Sequence, residues 1–176
     1  DEIQVWLISF IGKAIELNKL NSAESLVTYA EKFFNEEEIY GDLANESSDV
    51  IQMTKDLINL VKGGITNIWG QELVLWSKNL QFAGRTDMVG EWKGIPAIID
   101  FKQTNKPKRT EWLDDYFMQI CAYAEAHNEV YKTKIRTGVI LMCSKDYQFQ
   151  TWTITDNKFE DYTHKWWHRV GQYYGA

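Results

Sequence analysis

Hydrophobic positions change their rhythm once along this chain. From Ile3 to Leu20 they recur at helical spacing, at Ile3, Leu7, Phe10, Ile11, Ala14, Ile15 and Leu17. Asn21-Ser22 breaks that pattern, and Ser22 is placed to cap a second helix from about Ala23 to Phe34. The acidic stretch 35–49 reads as a loop. Asp49 then opens a third helix through Val61, which Gly63-Gly64 ends. Beyond that point the spacing shortens. Glu72–Ser77, Gln81–Glu91 and Ile95–Thr104 read as strands, the last with apolar residues on both faces (Ala97, Ile98, Ile99, Phe101), as in a central strand covered by helices on both sides. Thr110 is placed to cap a helix from Glu111 to about Glu129, packed through Leu113, Phe117, Ile120, Cys121 and Ala124. Thr137–Cys143 reads as a buried strand, Tyr147–Ile154 as a half-exposed one, and Asp156 to about Tyr173 as a closing helix. The class is α/β, with a helical portion at 1–64 and an α/β core at 70–176 in one domain.

Composition narrows the reading only a little. The 176 residues suit one domain with a full core, and 44% hydrophobic with 25% charged residues is ordinary for a globular protein. An aromatic share of 14% is high enough to leave rings exposed for binding. Cys121 and Cys143 have no CxxC spacing, which excludes a structural zinc or iron–sulfur site; free thiols in a reducing compartment are expected. No apolar run is long enough to span a membrane, and DEIQVWLISF lacks the basic flank of a signal peptide. A cytoplasmic location is expected. The chain does not start with Met, as expected of a fragment. Net charge is −6, against a general nucleic-acid coat, yet Lys102 to Arg109 (KQTNKPKR) holds four basic residues and no acidic one.

Chemistry concentrates in Phe82 to Thr104. A two-residue hairpin loop at Lys93-Gly94 makes Trp92 face Ile95. Counting outward sets Asp87 directly opposite Asp100, with Lys102 on the same face as Asp100. Facing carboxylates repel, and one buried without a partner costs several kcal/mol, on the order of its desolvation. A divalent cation resolves both problems. The bland competitor is an exposed Asp100–Lys102 ion pair worth about 0–1 kcal/mol. One helical turn apart downstream, Gln119 and Tyr123 share a face with Trp112 and Tyr116.

The ordered set Glu72, GRTD ending at Asp87, IIDFK with Asp100 and Lys102, and QICAY with Gln119 and Tyr123 resembles the PD-(D/E)XK nuclease superfamily. It is most similar to the RecB-like branch, that of the mitochondrial genome maintenance and related phage exonucleases. The resemblance covers about Glu72 to Cys143. It implies a restriction-endonuclease-like central mixed sheet flanked by helices and a Mg²⁺- or Mn²⁺-dependent deoxyribonuclease leaving a 5′-phosphate and a 3′-hydroxyl. An exonuclease on single-stranded DNA or strand ends is the leading form. Asp87, Asp100, the Phe101 backbone carbonyl and Glu72 are the implied metal ligands, and Lys102 the residue that orients or deprotonates the attacking water. Such oxygen-rich sets suit hard cations. Gln119, Tyr123, Lys106, Lys108, Arg109 and Trp112 are the substrate-binding candidates. The pattern departs in one respect: the N-terminal helix of the branch carries a His, whereas FIGKAIELN offers only Gly12 and Glu16, and no His precedes His127. Either Glu16 or Glu72 takes that place, or a second metal is bound weakly; one ion is expected, with room for two. His127, His164 and His168 read as structural or surface residues. The competing functions are a non-catalytic nucleic-acid-binding protein and a restriction-type endonuclease.

Overall fold

The computed structural model describes residues 64–144 and 149–175. The three N-terminal helices expected from the sequence, Gly12 and Glu16 among them, lie outside the described residues, as does the turn at Lys145-Asp146. Five strands form one sheet in the order β1 (Ile65–Ser77), β2 (Phe82–Trp92), β3 (Ile95–Thr104), β4 (Gly138–Ser144) and β5 (Phe149–Ile154). The sheet is mixed: β3 and β4 are parallel, and every other neighbouring pair is antiparallel. The parallel step requires a crossover, and helix α1 (Asp114–Tyr131) supplies it. Helix α2 (Asp156–Tyr173) follows β5. The class is α/β, as the hydrophobic spacing predicts, and among the described residues a mixed central sheet is flanked by two helices.

The hairpin is built as the sequence requires. Lys93 and Gly94 both take positive φ (50° and 79°), the backbone of a two-residue turn that matches strand twist, and Trp92 pairs with Ile95. Strand β3 is the middle strand. Ile98 joins the core under α1, while Ala97 and Ile99, which alternate to the opposite face, are equally buried.

Helix α1 lies between the sheet and α2, which explains why its middle is buried on several sides. Ile120 packs over β4 so closely that a Cβ on Gly138 would come within 2.3 Å of it. On the other side Cys121 Sγ donates to the Phe159 carbonyl (3.5 Å), and the Phe117 and Tyr162 rings sit 5.0 Å apart. Burial pushes the Cys121 thiol up to about 12, so it is the inert free thiol expected. No described helix is long and apolar enough to cross a membrane.

Two expected boundaries move. Strand β1 starts at Ile65 rather than Glu72, because register shifts at 65–67 and 68–70 scramble the alternation that would reveal it. Thr110 does not cap α1. It opens a 3₁₀ turn, Thr110–Trp112, and its hydroxyl accepts the Trp152 indole N–H at 3.2 Å. The shifted register also brings β1 hard against β2 at Gly90, where an added Cβ would lie 2.2 Å from the Asn67 carbonyl oxygen. Backbone cannot swing aside as a side chain can. Gly90→Ala is expected to cost on the order of 1–3 kcal/mol in denaturant unfolding; an unchanged midpoint would contradict this packing.

Candidate active site

Strands β2 and β3 keep the expected register as far as Met88 opposite Ile99, and there the ladder stops. Asp87 and Asp100 are the next pair along. They sit where the strands part, and the Asp87 side chain fills the gap: its Oδ2 accepts the Phe101 backbone N–H at 2.9 Å. Asp87 thus replaces a missing ladder bond and is fixed beside Asp100.

Asp100 is buried, with 3% of its surface exposed, which removes the exposed-ion-pair reading. Burial raises its pKa to about 7, and a hydrogen bond and charge from Asp87 push the same way against Lys102. The Lys102 ammonium stands 2.9 Å from Asp100 Oδ2 as an ion pair, and among the described residues that buried oxygen has no further hydrogen-bond partner. Thr86 Oγ1, one residue before Asp87, is buried with no hydrogen-bond partner among the described residues. Native proteins rarely leave such oxygens unsatisfied.

The Lys102 ammonium is itself held on three sides. It donates to Gln119 Oε1 at 3.0 Å, pairs with Asp100, and lies 4.7 Å above the Tyr116 ring. Burial pulls its pKa down, but Asp100, then Asp87 and Tyr116, outweigh burial and raise it. It is therefore a cation and donor here, not a free base. Gln119 in turn donates through Nε2 to Tyr123 Oη at 2.9 Å. Tyr123 is pushed up by burial and then by Asp100. A connected row runs from Asp100 through Lys102 and Gln119 to Tyr123. The Tyr123 ring has room because Gly84 faces it; a Cβ there would come within 2.9 Å.

Other candidates sit apart. Glu72 has φ +47° in β1, a left-handed conformation that turns its exposed carboxylate to Arg85 at 3.0 Å. Among the described residues, no three acidic, His or Cys side chains converge as a metal cluster, so Glu72 does not join Asp87 and Asp100. Lys106 and Arg109 are exposed and Lys108 is partly buried. Gln150 of β5 brackets Lys108, accepting its N–H at 2.9 Å and donating to its carbonyl at 3.0 Å. The Arg109 guanidinium lies 5.5 Å from the Trp112 ring, which is 59% exposed. His127 is buried with its Nδ1 2.7 Å from the Thr133 hydroxyl, while His164 and His168 are exposed.

The two-carboxylate arrangement fits a hard divalent cation. Mg²⁺ is commonly held by one or two carboxylates, with water and phosphate completing its shell. The burial of Asp100 beside Asp87 and its raised pKa are what a cation would relieve. Sequence reasoning missed Tyr116 as a support for Lys102 and Gln150 as a clamp. Tyr116, three residues before Gln119, was legible from helical spacing; Gln150 had no local signal.

No family model matches the chain, and no curated protein matches it. Among solved structures, the chain is similar to the crystal structure of a candidate exonuclease from Eubacterium rectale, at 16% identity and a TM-score of 0.46, over 90% of this chain and 68% of the other.

Proposed function

We propose that the chain is a metal-dependent nuclease that hydrolyses DNA phosphodiester bonds, working as an exonuclease on single strands or strand ends. The observation that carries this reading is Asp100: a buried carboxylate beside a second carboxylate, with the Lys102 ammonium against its Oδ2. Asp87 and Asp100 would hold Mg²⁺ or Mn²⁺, with the Phe101 carbonyl as a further ligand. When bound, such an ion relieves the repulsion between phosphate oxyanions and an incoming water and lowers the pKa of that water. Lys102, kept cationic by its neighbours, neutralises charge on the scissile phosphate and orients the water. Gln119 holds Lys102 in place, and Tyr123 holds Gln119. Lys106, Lys108 and Arg109 meet flanking phosphates. Hydrolysis breaks one P–O bond, leaving a 5′-phosphate and a 3′-hydroxyl.

End-labelled single- and double-stranded DNA, digested with Mg²⁺ or Mn²⁺ and with EDTA, tests the proposal. A ladder collapsing to short products is expected only with metal. Discrete internal fragments would instead point to a restriction-type endonuclease. Trp112→Ala is expected to raise KM on single strands roughly 10-fold through lost stacking, with kcat unchanged. Equal KM values would remove Trp112 from the substrate grip.

The turning of Glu72 toward Arg85 favours one competing reading, a nucleic-acid-binding protein without catalysis. Salt-dependent retention of DNA with no cleavage in any divalent metal would establish it.

A further inference from the structure

A cavity of about 290 Å³ opens beside the C-terminal half of α1, lined by Trp69, Leu73, His127, Tyr131 and Thr133. It lies along the helix that carries Gln119 and Tyr123. Gln119, Tyr123, His127 and Tyr131 are spaced by four and form one row along α1. At a rise of about 1.5 Å per residue, His127 lies roughly 6 Å along the helix from Tyr123 and roughly 12 Å from Gln119.

The lining is suited to a flat ring. The Trp69 and Tyr131 rings flank His127, with centroids 6.1 and 4.6 Å from its own and planes tilted by 31° and 33°. Both keep much of their surface open, 41% and 50%. Pockets for drug-sized ligands span about 300–1,000 Å³, so this volume takes a single ring system.

His127 adds one defined polar group. Asn128 is fixed in orientation: its Nδ2 donates to the Ile135 carbonyl (3.0 Å) and its Oδ1 accepts the Ile135 N–H (2.8 Å). The Thr133 hydroxyl must therefore give its one proton to Asn128 Oδ1, 2.8 Å away. What remains for His127 Nδ1, 2.7 Å from that hydroxyl, is to donate. In the neutral ring Nε2 is then an acceptor, and no described residue hydrogen-bonds to it. Burial lowers the His127 pKa, which keeps the ring neutral.

We propose that this cavity is a nucleobase subsite: it takes an unpaired base of the strand held at Asp87, Asp100 and Lys102, stacked against Trp69 and Tyr131 and donating an N–H to His127 Nε2. The assignment rests on the nuclease reading and deepens it by supplying a physical source of strand preference. Every base carries an N–H on its edge and a stacking face, so the subsite tolerates any sequence. A paired base has its Watson–Crick edge occupied and its faces stacked, and enters only after extrusion.

The experiment measures cleavage by the full chain, with Mg²⁺ or Mn²⁺, of single-stranded oligonucleotides carrying one abasic site at successive positions. At one position near the cleaved bond, the wild type is expected to show KM raised roughly 10-fold, with kcat unchanged. Trp69→Ala and Tyr131→Ala alter exposed rings and leave the core intact. Each is expected to raise KM on the intact oligonucleotide by a similar factor and to abolish the penalty at that position, leaving in place a penalty that Trp112 sets at another. A wild type indifferent to abasic placement, or variants that keep the penalty at that position, would overturn the subsite while leaving the nuclease reading in force. A wild type that cleaves no nucleic acid at all would overturn both.

Discussion

Asp100→Asn is expected to abolish cleavage while making the metal-free protein more stable at neutral and alkaline pH. The folded carboxyl has its pKa raised from 3.8 to about 7, so folding holds a proton that the unfolded chain releases. Its contribution is fully present below about pH 3.8, falls as pH rises toward 7, and is lost above that. Over the whole window the loss is on the order of 4 kcal/mol. Asparagine does not titrate, so the variant escapes most of it, less whatever Lys102 loses as an ion-pair partner. Denaturant unfolding in EDTA at pH 5 and pH 8 checks the sign: wild type should weaken at the higher pH and the variant should not. At pH 8, Mg²⁺ or Mn²⁺ should recover stability in the wild type alone, because an ion that binds only the folded site stabilises it by mass action. Activity should fall by about 10³-fold or more. A variant less stable than wild type in EDTA at pH 8, or one that still cuts, would sink the assignment of Asp100 as a metal ligand.

Lys102→Met is expected to remove activity and to destabilise, the opposite stability sign. It strips the ammonium from a buried carboxylate, and breaking such a pair from one side typically costs about 3–5 kcal/mol. The loss should be greatest above pH 7, where Asp100 must ionise without a counter-charge. The double variant, Asp100→Asn with Lys102→Met, should recover much of that stability and none of the activity. Replacing both members of a buried pair leaves neither charge stranded. A double variant as unstable as Lys102→Met alone would show that Lys102 serves packing over Tyr116 and Gln119 rather than charge.

The hairpin could be read from sequence because its turn chemistry and its strands agree. Lys93-Gly94 fixes the loop, the loop fixes the register, and the register carries Asp87 and Asp100 to adjoining positions. What the register does not reveal is where the ladder ends. The Phe101 N–H is satisfied by a side chain, and nothing local distinguishes Asp87 as that acceptor until β3 has paired with β4. Glu72 eluded the reading for a related reason. Opposite Asp87 by simple counting, it is turned away by a left-handed backbone that no glycine or asparagine announces. Strand β1 was half hidden because two register shifts erase its alternation. The burial of Asp100, by contrast, followed from the apolar residues on both faces of β3, and the shared face of Gln119 and Tyr123 followed from period four on a helix, whereas the Lys102–Gln119 contact joins a strand to a helix and had no local signal.

The bracket that Gln150 places on Lys108 gives the basic loop a property its charges alone would not. A loop of lysines and a proline ordinarily samples many shapes, and catching a phosphate then costs the entropy of choosing one. Here both polar atoms of the Lys108 peptide are already committed to one side chain of a strand across the sheet, and Trp152 anchors the next turn at Thr110. Much of the ordering is complete without any ligand, so more of any phosphate contact the loop makes would appear as affinity. The loop's grip is thus set by β5, an edge strand that carries none of the candidate catalytic residues.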